Sequence, residues 1–566
     1  MVKYPEKYNP IGEYFERIKS GEEIVSRKIH RLYQKLLGDM DGCKGADGTV
    51  YHYSHSRANH IIEFAENYCR HSKGKFGGKL VVLELWEKAM LAAMFGFVDD
   101  EGRRKYREVI LIVAKKNGKS LIASIVGLYL QVGDGEPGAE VYAVATKKDQ
   151  AKIIWSEAKR MVNKSPELRK IIKPLVAEMD CAANESVFKP LASDTDTLDG
   201  LNVHGALMDE VHQWRDGMAL YDIIADGTTA REQPMVLITT TAGVVREDIY
   251  DNKYDYAAKV ILGYDDPAAG IVDDHFLPFI YELDERSEWE KPECWKKANP
   301  GLGTIKDIRQ LRDKVAKAKQ SPETQRNILC KEFNIRETAG GAWLSFDELN
   351  NESVFDIRQL KPRYGIGGAD LSSTSDLTAA CVTFMLPESS DVYVIPMFWI
   401  PADLVEKHIT DDHIRYDIWI EKGWVRTCPG NRINPEYITD WFLEMQNEYD
   451  IYLYGVGYDS WSAEMWVSQM KMNFGDSVMH PVIQGKKTLS RPMEQLAKDF
   501  QAHRIIYNNN GTLKWCIANT CTDEDKNGNI QPIKSRRATQ RIDGLAALLD
   551  AYTVLQDNLD GYLSVI

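Results

Sequence analysis

The sequence lacks several features that would assign it to a specialised class of protein. Its nine cysteines are scattered over 566 residues and include no CxxC pair, so a structural zinc site or a disulfide framework is not expected. There is no uninterrupted run of about eighteen apolar residues. The N-terminal stretch MVKYPEKYNP has no apolar signal-peptide core. We therefore expect a protein of a reducing compartment that is neither secreted nor inserted in a membrane.

An excess of positive charge is also missing. The chain has 70 Lys and Arg residues against 84 Asp and Glu residues, which gives a formal net charge of −14. A protein that binds DNA tightly by itself is usually basic, although local basic patches can act within an acidic chain. The net charge therefore predicts that binding to nucleic acid is transient or depends on assembly, and is not strong in the isolated chain.

The chain has no internal repeats, and it is too long for a single hydrophobic core. Residues 1–75 have a helical pattern. Between residues 81 and 243, the apolar segments REVILIV, EVYAVAT, VHGALM and PMVLITT alternate with helical segments, which predicts a parallel sheet covered on both faces. Residues 244–335 are expected to be helices around that sheet. From residue 364, the strands GIGGADLS, DLTAACVTFML, DVYVIPMFWI and YLYGVGYDS, with two later helices, predict a second α/β domain.

The segment VILIVAKKNGKSLIASIVGLYL predicts a strand, a polar loop and a helix. Backbone N–H groups at such a helix start can hold phosphates. Lys119 would then reach the terminal phosphates and Ser120 would ligate Mg²⁺. Val113 stands where the pattern GxxxxGK[ST] has its first glycine. The loop taken alone is therefore also compatible with a plain Lys/Gly turn.

Two further motifs follow apolar strands downstream. In GALMDE, Asp209 is suited to hold Mg²⁺ through water and Glu210 to polarise the attacking water; the alternative is a helix cap followed by an exposed Glu. In TTTAG, residues 239–243, hydroxyls could sense the terminal phosphate; the alternative is the ordinary preference of Thr for strands. Because ligands bind at the carboxyl ends of strands in such sheets, the three motifs together predict a nucleotide site.

Acidic residues mark the second domain. Asp370 and Asp459 each end an apolar strand, Asp376 begins the strand after Asp370, and Asp543 lies near the start of a helix. Carboxylates gathered in this way can hold two Mg²⁺ or Mn²⁺ ions that hydrolyse a phosphodiester. Oxygen ligands suit hard cations, and the sequence offers zinc no cluster of His. Each Asp alone is more often a turn former or a cap, but a carboxylate at the end of an apolar strand is costly without a partner.

In this order, and over nearly the whole chain, the motifs resemble those of the terminase large subunit of tailed double-stranded DNA bacteriophages. AKKNGKS is similar to the phosphate loop of that family, in which the first Gly is commonly missing. TLDGLNVHGALMDEVHQW resembles its carboxylate segment and TTTAG its coupling motif. GADLSSTSDLTA, YDSW and RIDGLAALLDAY resemble the three acidic motifs of its nuclease.

The resemblance implies an α/β fold, with an N-terminal P-loop (ASCE-type) ATPase domain of mostly parallel sheet followed by an RNase H-like nuclease domain. The expected bounds are a helical extension at 1–75, the ATPase domain with its linker and lid helices at 76–340, a connector at 341–360 and the nuclease at 361–566. ATP hydrolysis would move double-stranded DNA into a procapsid, and the nuclease would cut concatemeric DNA to start and end packaging.

The resemblance also implies residue roles. The catalytic residues would be Glu210, Asp370, Asp459 and Asp543. The ATP-binding residues would be Trp86, Glu87, Lys115, Lys116, Asn117, Gly118, Lys119, Ser120 and Thr241. Mg²⁺ at the ATPase site would be held by Ser120 and Asp209, and the nuclease ions by Asp370, Asp376, Asp459 and Asp543.

Two positions depart from the family pattern. Glu87 stands in LELWEKAM where the family often has Trp-Gln, and an ionised Glu can only accept hydrogen bonds. The basic residue upstream in the phosphate loop is Lys115 or Lys116, not the Arg of the family, and a lysine lacks the bidentate geometry of Arg. Arg246 is a candidate arginine finger, with a solvated loop residue as the alternative.

The implied partners are double-stranded DNA, the portal protein of the procapsid and a small terminase subunit. A ring of this chain, usually a pentamer, would act in the host cytoplasm and transiently at the portal vertex, with a monomer as the expectation for the isolated chain. Expected phosphate contacts of DNA near the nuclease motifs are Lys486, Lys487, Arg491, Lys534, Arg536 and Arg537.

Two other functions are compatible with parts of the pattern. A helicase–nuclease of DNA repair or restriction would share both motif sets, but it would act on free DNA without a procapsid. A non-catalytic scaffold switched by nucleotide would bind ATP, and changing Glu210 or Asp370 would then alter no chemistry.

Overall fold

The computed structural model describes residues 1–193, 200–215, 217–244, 248–338, 342–371, 377–412, 414, 416–459, 464–534 and 541–566. These residues form two compact units. The first comprises Met1–Val244 and Asp248–Arg336, and the second contains the described residues from Glu337 to Ile566. No helix among the described residues is both long and apolar enough to cross a membrane.

The helices of the first unit are α1 (Pro10–Lys19), α2 (Arg27–Asp39), α3 (His55–Tyr68), α4 (Leu85–Gly96), α5 (Lys119–Val132), α6 (Lys148–Lys164), α7 (Leu168–Ile171), α8 (Gly217–Asp226), α9 (Ile249–Gly263), α10 (Ile308–Ala318) and α11 (Pro322–Phe333). Its strands are β1 (Cys43–Lys44), β2 (Val50–Tyr53), β3 (Phe97–Val98), β4 (Glu108–Ile112), β5 (Glu140–Ala145), β6 (Lys173–Pro174), β7 (Met179–Cys181), β8 (Ser186–Ala192), β9 (Val203–Asp209), β10 (Met235–Thr240) and β11 (Phe276–Ile280).

An eight-stranded sheet in the order β11-β4-β10-β9-β5-β8-β7-β6 organises this unit. Its six strands from β11 to β8 run parallel, and β7 and β6 extend it antiparallel. Successive residues of β4 point into different cores: Val109 and Leu111 into one, Ile110 and Ile112 into the other. Both faces are therefore covered, as the continuous apolar strands predict.

The N-terminal helices belong to this first unit. Apolar residues of α1, α2 and α3, including Ile11, Leu32 and Ile61, share one buried core with Leu111 of β4. The stretch 244–335, expected to be helical, does contain α9, α10 and α11, but it also contributes β11, the edge strand that pairs with β4. β11 was missed because FLPFI is a short apolar run without alternation, which periodicity cannot separate from helix.

The helices of the second unit are α12 (Phe346–Leu349), α13 (Ile357–Leu360), α14 (Val405–Asp412), α15 (Tyr416–Glu421), α16 (Glu436–Tyr449), α17 (Glu464–Phe474), α18 (Lys486–Gln501), α19 (Gly511–Ala518), α20 (Asp543–Asp557) and α21 (Leu559–Leu563). Its strands are β12 (Tyr364–Asp370), β13 (Thr378–Phe384), β14 (Val392–Pro401), β15 (Val425–Cys428), β16 (Tyr452–Asp459), β17 (Met479–Val482), β18 (Ile505–Ile506), β19 (Thr520–Glu524) and β20 (Ile530–Lys534).

The main sheet of this unit has the order β15-β14-β13-β12-β16-β17, with β18 beside β14. β12, β13 and β14 form an antiparallel meander, whereas β16 lies parallel to β12 and β17 parallel to β16. The helix α20 packs across β12, β13 and β16. The predicted α/β class is confirmed for both units.

Glycines permit the close approach of α20 to the sheet. A Cβ atom on Gly368 of β12 would lie 2.1 Å from the carbonyl oxygen of Ala547, and one on Gly457 of β16 would lie 2.3 Å from that of Asp550. Only a residue without a side chain fits at such distances. The glycine-rich strands GIGGAD and YGVGYD therefore bring their terminal carboxylates close to this helix.

Candidate functional site

The phosphate loop joins β4 to α5. Lys116 has a φ of 69°, and Gly118, which caps α5, has a φ of 86°. The Lys119 side chain is buried, and its Nζ donates to the carbonyl oxygen of Val113 over 3.2 Å. Burial lowers the pKa of Lys119, against the opposing effect of Glu210 and Asp209. A helix start with a buried lysine beneath it is typical of a site for phosphate groups.

Asp209 and Glu210 lie at the carboxyl end of β9, on the same edge of the sheet. The Thr239 hydroxyl donates to Asp209 Oδ1 over 2.8 Å. Burial, together with the charge of Glu210, raises the pKa of Asp209 to about 6. Glu210 Oε1 lies 3.3 Å from Lys119 Nζ. The structure therefore brings together the three side chains on which the nucleotide prediction depends.

Glu210 has a strained backbone and a specific charge environment. Its φ of 51° and ψ of 44° are in the left-handed region, where non-glycine residues are uncommon and often functional. Burial raises the pKa of Glu210, but the charges of Lys119 and His212 outweigh burial and leave the pKa below its ordinary value. The carboxylate therefore stays ionised at neutral pH.

His212 is a site residue that the sequence analysis did not single out. Its Nδ1 lies 3.1 Å from Glu210 Oε2, 3.0 Å from the Thr240 hydroxyl and 3.5 Å from the Thr241 hydroxyl. It thus connects the acidic end of β9 to the threonines that end β10. The only sequence feature that could have indicated it is its place two residues after Glu210.

Asn117, expected among the ATP-binding residues, has its side chain turned to the protein interior. Its Nδ2 donates to the Ala114 carbonyl and to Asn299 Oδ1, each over 3.0 Å, and its Oδ1 accepts from the Gly301 N–H over 3.1 Å. The side chain therefore braces the phosphate loop. Lys115 is half-buried, and Lys116 is exposed.

Trp86 and Glu87 open α4. The Trp86 ring is buried edge-on against Tyr281, with 5.5 Å between ring centroids. Glu87 is 1% exposed, and its Oε2 accepts from the Glu84 N–H in a capping box over 2.8 Å. Its Oε1 lies 3.1 Å from where a Cβ on Gly118 would be. Burial raises the pKa of Glu87 to about 8.

The acidic residues of the second unit meet at one edge of its sheet. Asp370 and Asp459 end the neighbouring parallel strands β12 and β16, and Asp543 is the first residue of α20. Burial and the charges of Asp543 and Asp459 raise the pKa of Asp370. Asp376 lies outside the described residues. Within the part of the chain that the structure describes, no group of three or more His, Cys, Asp or Glu side chains is arranged to hold a metal ion.

Asp550 is a second residue that the sequence analysis missed. It lies two helical turns after Asp543 on α20, and Gln484 donates to its Oδ1 over 3.0 Å. Burial raises its pKa, with a further contribution from Asp370. The seven-residue spacing from Asp543 is the pattern that could have indicated a shared helix face.

Among the expected DNA contacts, Lys487 and Arg491 are exposed on α18, and Lys486 forms an ion pair with Asp523 over 2.8 Å. Lys534 ends β20 and lies near enough to Asp370 to lower the pKa of that carboxyl. Arg536, Arg537 and the candidate finger Arg246 lie outside the described residues.

Comparison with known proteins matches two family models. The terminase large subunit ATPase domain matches residues 85–259, and the terminase large subunit endonuclease domain matches residues 270–558. The endonuclease match therefore begins inside the first compact unit, at residues that form β11, α10 and α11.

Curated relatives agree over most of the chain. The chain is 26% identical to the terminase large subunit of Enterobacteria phage HK97 over 513 residues, covering 87% of this chain and 94% of that protein. It is 20% identical to the terminase large subunit of Lactococcus phage SK1, covering 95% and 97%. A crystal structure of the HK97 bacteriophage large terminase is similar at a TM-score of 0.47 and 24% identity, covering 88% and 99%.

The matched domains assign two activities, ATP hydrolysis and endonucleolytic cleavage of DNA, to one motor that packages phage DNA. The alternative of a repair or restriction helicase–nuclease is not favoured, because neither matched model is of that class. The two matched domains, which cover residues 85–259 and 270–558, show that this chain belongs to the terminase large subunit family.

Proposed function

We propose that ATP binds at the carboxyl edge of the eight-stranded sheet and that Glu210 activates the attacking water. The observation that carries this proposal is the position of the Glu210 carboxylate, between Lys119 Nζ at 3.3 Å and His212 Nδ1 at 3.1 Å. A terminal phosphate held by Lys119 would lie beside this carboxylate. Its lowered pKa leaves it ionised and able to accept a proton from water.

The rest of the nucleotide site follows from the same edge. Lys115 or Lys116 and the N–H groups around Gly118 hold the phosphates, and Ser120 and Asp209 ligate Mg²⁺. Burial and the charge of Glu210 both disfavour the ionised form of Asp209 and so raise its pKa. A bound cation would stabilise the ionised carboxylate against both effects, so this residue is suited to a cation site. Bound Mg²⁺ would neutralise charge on the phosphate oxygens.

Glu87 and Trp86 complete the proposed ATP site. With a pKa of about 8, the Glu87 carboxyl is protonated at neutral pH. A protonated carboxyl both donates and accepts hydrogen bonds, as the amide of Gln does. The departure from Trp-Gln therefore changes the residue but keeps its hydrogen-bonding capacity.

Residues 239–243 are proposed to couple ATP hydrolysis to the movement of DNA. His212 lies between these residues and Glu210 and is proposed to position the Glu210 carboxylate. His212 contacts the hydroxyls of Thr240 and Thr241 on one side and the Glu210 carboxylate on the other. A shift of the threonines would therefore turn the carboxylate towards or away from the attacking water.

In the second unit, Asp370, Asp459 and Asp543, supported by Asp376, are proposed to hold two Mg²⁺ or Mn²⁺ ions. The mutual repulsion that raises the pKa of Asp370 supports this proposal, because divalent ions would relieve it. The all-oxygen donor set suits hard cations. The bound ions would stabilise the attacking and leaving oxygens of a phosphodiester.

The packaging role defines the proposed partners and location. The motor would form a ring, with five copies as the expected number, on the portal vertex of the procapsid in the host cytoplasm. A small terminase subunit would deliver the DNA. Exposed Lys487 and Arg491 would contact the backbone near the nuclease.

A separation-of-function experiment tests both site assignments. ATP turnover and plasmid cleavage with Mn²⁺ or Mg²⁺ are compared for the full chain, Lys119→Ala and Asp370→Ala. We expect Lys119→Ala to lose ATP turnover by at least about 100-fold while retaining cleavage, and Asp370→Ala to do the reverse.

Asp557→Ala, at the exposed end of the helix that carries Asp543, is the matched control and should retain both activities. Cleavage that survives Asp370→Ala in a correctly folded protein would contradict the nuclease assignment. ATP turnover that survives Lys119→Ala would contradict the nucleotide assignment.

A further inference from the structure

Residues 147–173 form a strongly basic segment within this acidic chain. Residues 147–173 contain nine Lys and Arg residues and only three Asp and Glu residues, whereas the whole chain has a net charge of −14. The segment follows the carboxyl end of β5 and comprises α6, α7 and the first residue of β6. It belongs to neither the nucleotide site nor the nuclease site described above.

The cations of this segment are available to a partner. Seven of them are exposed. Lys164 donates to the Ser72 carbonyl, and the other six are Lys147, Lys148, Lys152, Arg169, Lys170 and Lys173. None of the six forms an ion pair with another described residue. Of the three acidic residues, Glu157 is held by Arg160 over 2.9 Å and by the Ser72 hydroxyl, and neither Asp149 nor Glu167 forms an ion pair with another described residue.

The basic surface continues onto a neighbouring loop. Lys164 Nζ donates to the Ser72 carbonyl over 2.6 Å, and Glu157 of α6 accepts from the Ser72 hydroxyl. These contacts attach the loop that carries exposed Lys73 and Lys79 to α6. We define the basic surface as the exposed cations of this loop, α6, α7 and β6.

The start of α6 is locally unfavourable in the free protein. Lys147 occupies the N-cap without a capping side-chain bond, and Lys148 is the first helical residue. Ser, Thr, Asp or Asn is preferred at a cap. A cation at the positive end of a helix is electrostatically unfavourable, and the single charge of Asp149 in the same turn offsets only part of the two lysine charges. A bound phosphate would reverse that cost, because the helix start and both lysines attract an anion.

We infer that the basic surface binds the phosphate backbone of double-stranded DNA, an inference that rests on the packaging function proposed above. A 17-residue helix is about 25 Å long, and duplex DNA carries one negative charge for about every 1.7 Å of its axis. The length and repeated charge of α6 therefore match a polyanion rather than a single small anion. Lysine contacts to phosphates carry no sequence information, which suits a motor that must move any sequence.

The test compares two pairs of substitutions that remove equal charge. Lys148→Gln with Lys152→Gln lies on α6, and Arg312→Gln with Lys317→Gln lies on the exposed face of α10 as the matched control. Binding of the full chain to a labelled duplex is measured over a series of salt concentrations, with DNA-free ATP turnover recorded in parallel.

We expect the α6 pair to weaken binding roughly tenfold at low salt. The slope of log affinity against log salt should become shallower by about 0.9 for each DNA phosphate that the variant no longer neutralises. DNA-free ATP turnover should be unchanged in both pairs. An equal effect of the α10 pair, or an unchanged slope with the α6 pair, would overturn the inference.

Two further outcomes separate the possible failures. If the α6 pair binds duplex normally but no longer associates with procapsids, the basic surface serves a protein partner and the inference is wrong. If the unmodified chain neither hydrolyses ATP nor cuts DNA, the proposed function fails, whatever the basic surface binds.

Discussion

At the scale of single residues, burial changes the chemistry of Glu87. Its sequence position suggests an ionised acceptor, but its 1% exposure raises the pKa to about 8. The unfolded chain loses this proton near the ordinary pKa of 4.5. The stability contributed by the protonated form is therefore complete below pH 4.5 and is lost as the pH rises towards 8.

Glu87→Gln, which cannot ionise, should for this reason gain stability relative to the unmodified protein as the pH rises from 4.5 to 8. The expected gain above pH 8 is on the order of 5 kcal/mol. Urea unfolding at a series of pH values measures it. Glu87→Ala cannot ionise either, but it also loses the hydrogen bond from the Glu84 N–H. The difference in stability between the two variants therefore measures the loss of the side chain apart from its ionisation. A stability difference that does not change with pH would contradict a buried, protonated Glu87.

His212 gives a second prediction at this scale. His212→Leu should lower kcat for ATP about tenfold, which corresponds to about 1.4 kcal/mol, with little change in KM, because it repositions Glu210 without touching the phosphates. His212→Asn, which keeps a polar atom near the Nδ1 position, should restore most of the rate. Asp226→Ala, at the exposed end of α8, is the control. A raised KM at unchanged kcat would show that His212 acts in nucleotide binding instead.

At the scale of elements, the last turn of α11 and the residue after it connect the two halves of the nucleotide site. The Lys115 N–H donates to the Lys331 carbonyl over 2.9 Å, and the Ala242 N–H donates to Asn334 Oδ1 over 3.0 Å. Lys306 Nζ bridges Asn299 Oδ1 and Glu332 Oε2, each at 2.5 Å. The phosphate loop and the threonine motif are therefore both hydrogen-bonded to the end of α11.

This network predicts the effect of Asn299→Ala. Asn117 and Lys306 would lose a buried partner, and an unsatisfied buried polar group costs about 1–3 kcal/mol. The melting temperature should fall, and KM for ATP should rise as the phosphate loop loosens. Asn163→Ala, on the exposed surface of α6, should change neither. An unchanged KM in a destabilised Asn299→Ala protein would limit the network to a role in stability.

At the scale of the whole molecule, each compact unit has its own buried cores and its own acidic site. Although the net charge is −14, residues 147–173 form a strongly basic segment. A local basic surface on an acidic chain favours weak, reversible binding to DNA. Such contacts can be released at each step of translocation. The separation-of-function variants proposed above test whether the two units carry separate chemistry.

The sequence by itself predicted the α/β class, the order of the motifs and most of the strands that carry them. It could do so because apolar strands, a Gly-Lys-Ser turn and carboxylates at strand ends are local patterns. Parallel strands then bring such ends to one edge of a sheet. Lys119, Asp209 and Glu210 meet in this way, as do Asp370 and Asp459.

Only the tertiary structure decided the rest. The protonation of Glu87 depends on burial. The orientation of the Asn117 side chain depends on its hydrogen bond to Asn299, which lies 182 residues away in the sequence. His212 becomes a site residue because β9 and β10 are neighbours, and the basic surface becomes continuous because Lys164 contacts the Ser72 loop. Burial and long-range contact arise from packing between distant segments, and no local spacing in a sequence encodes them.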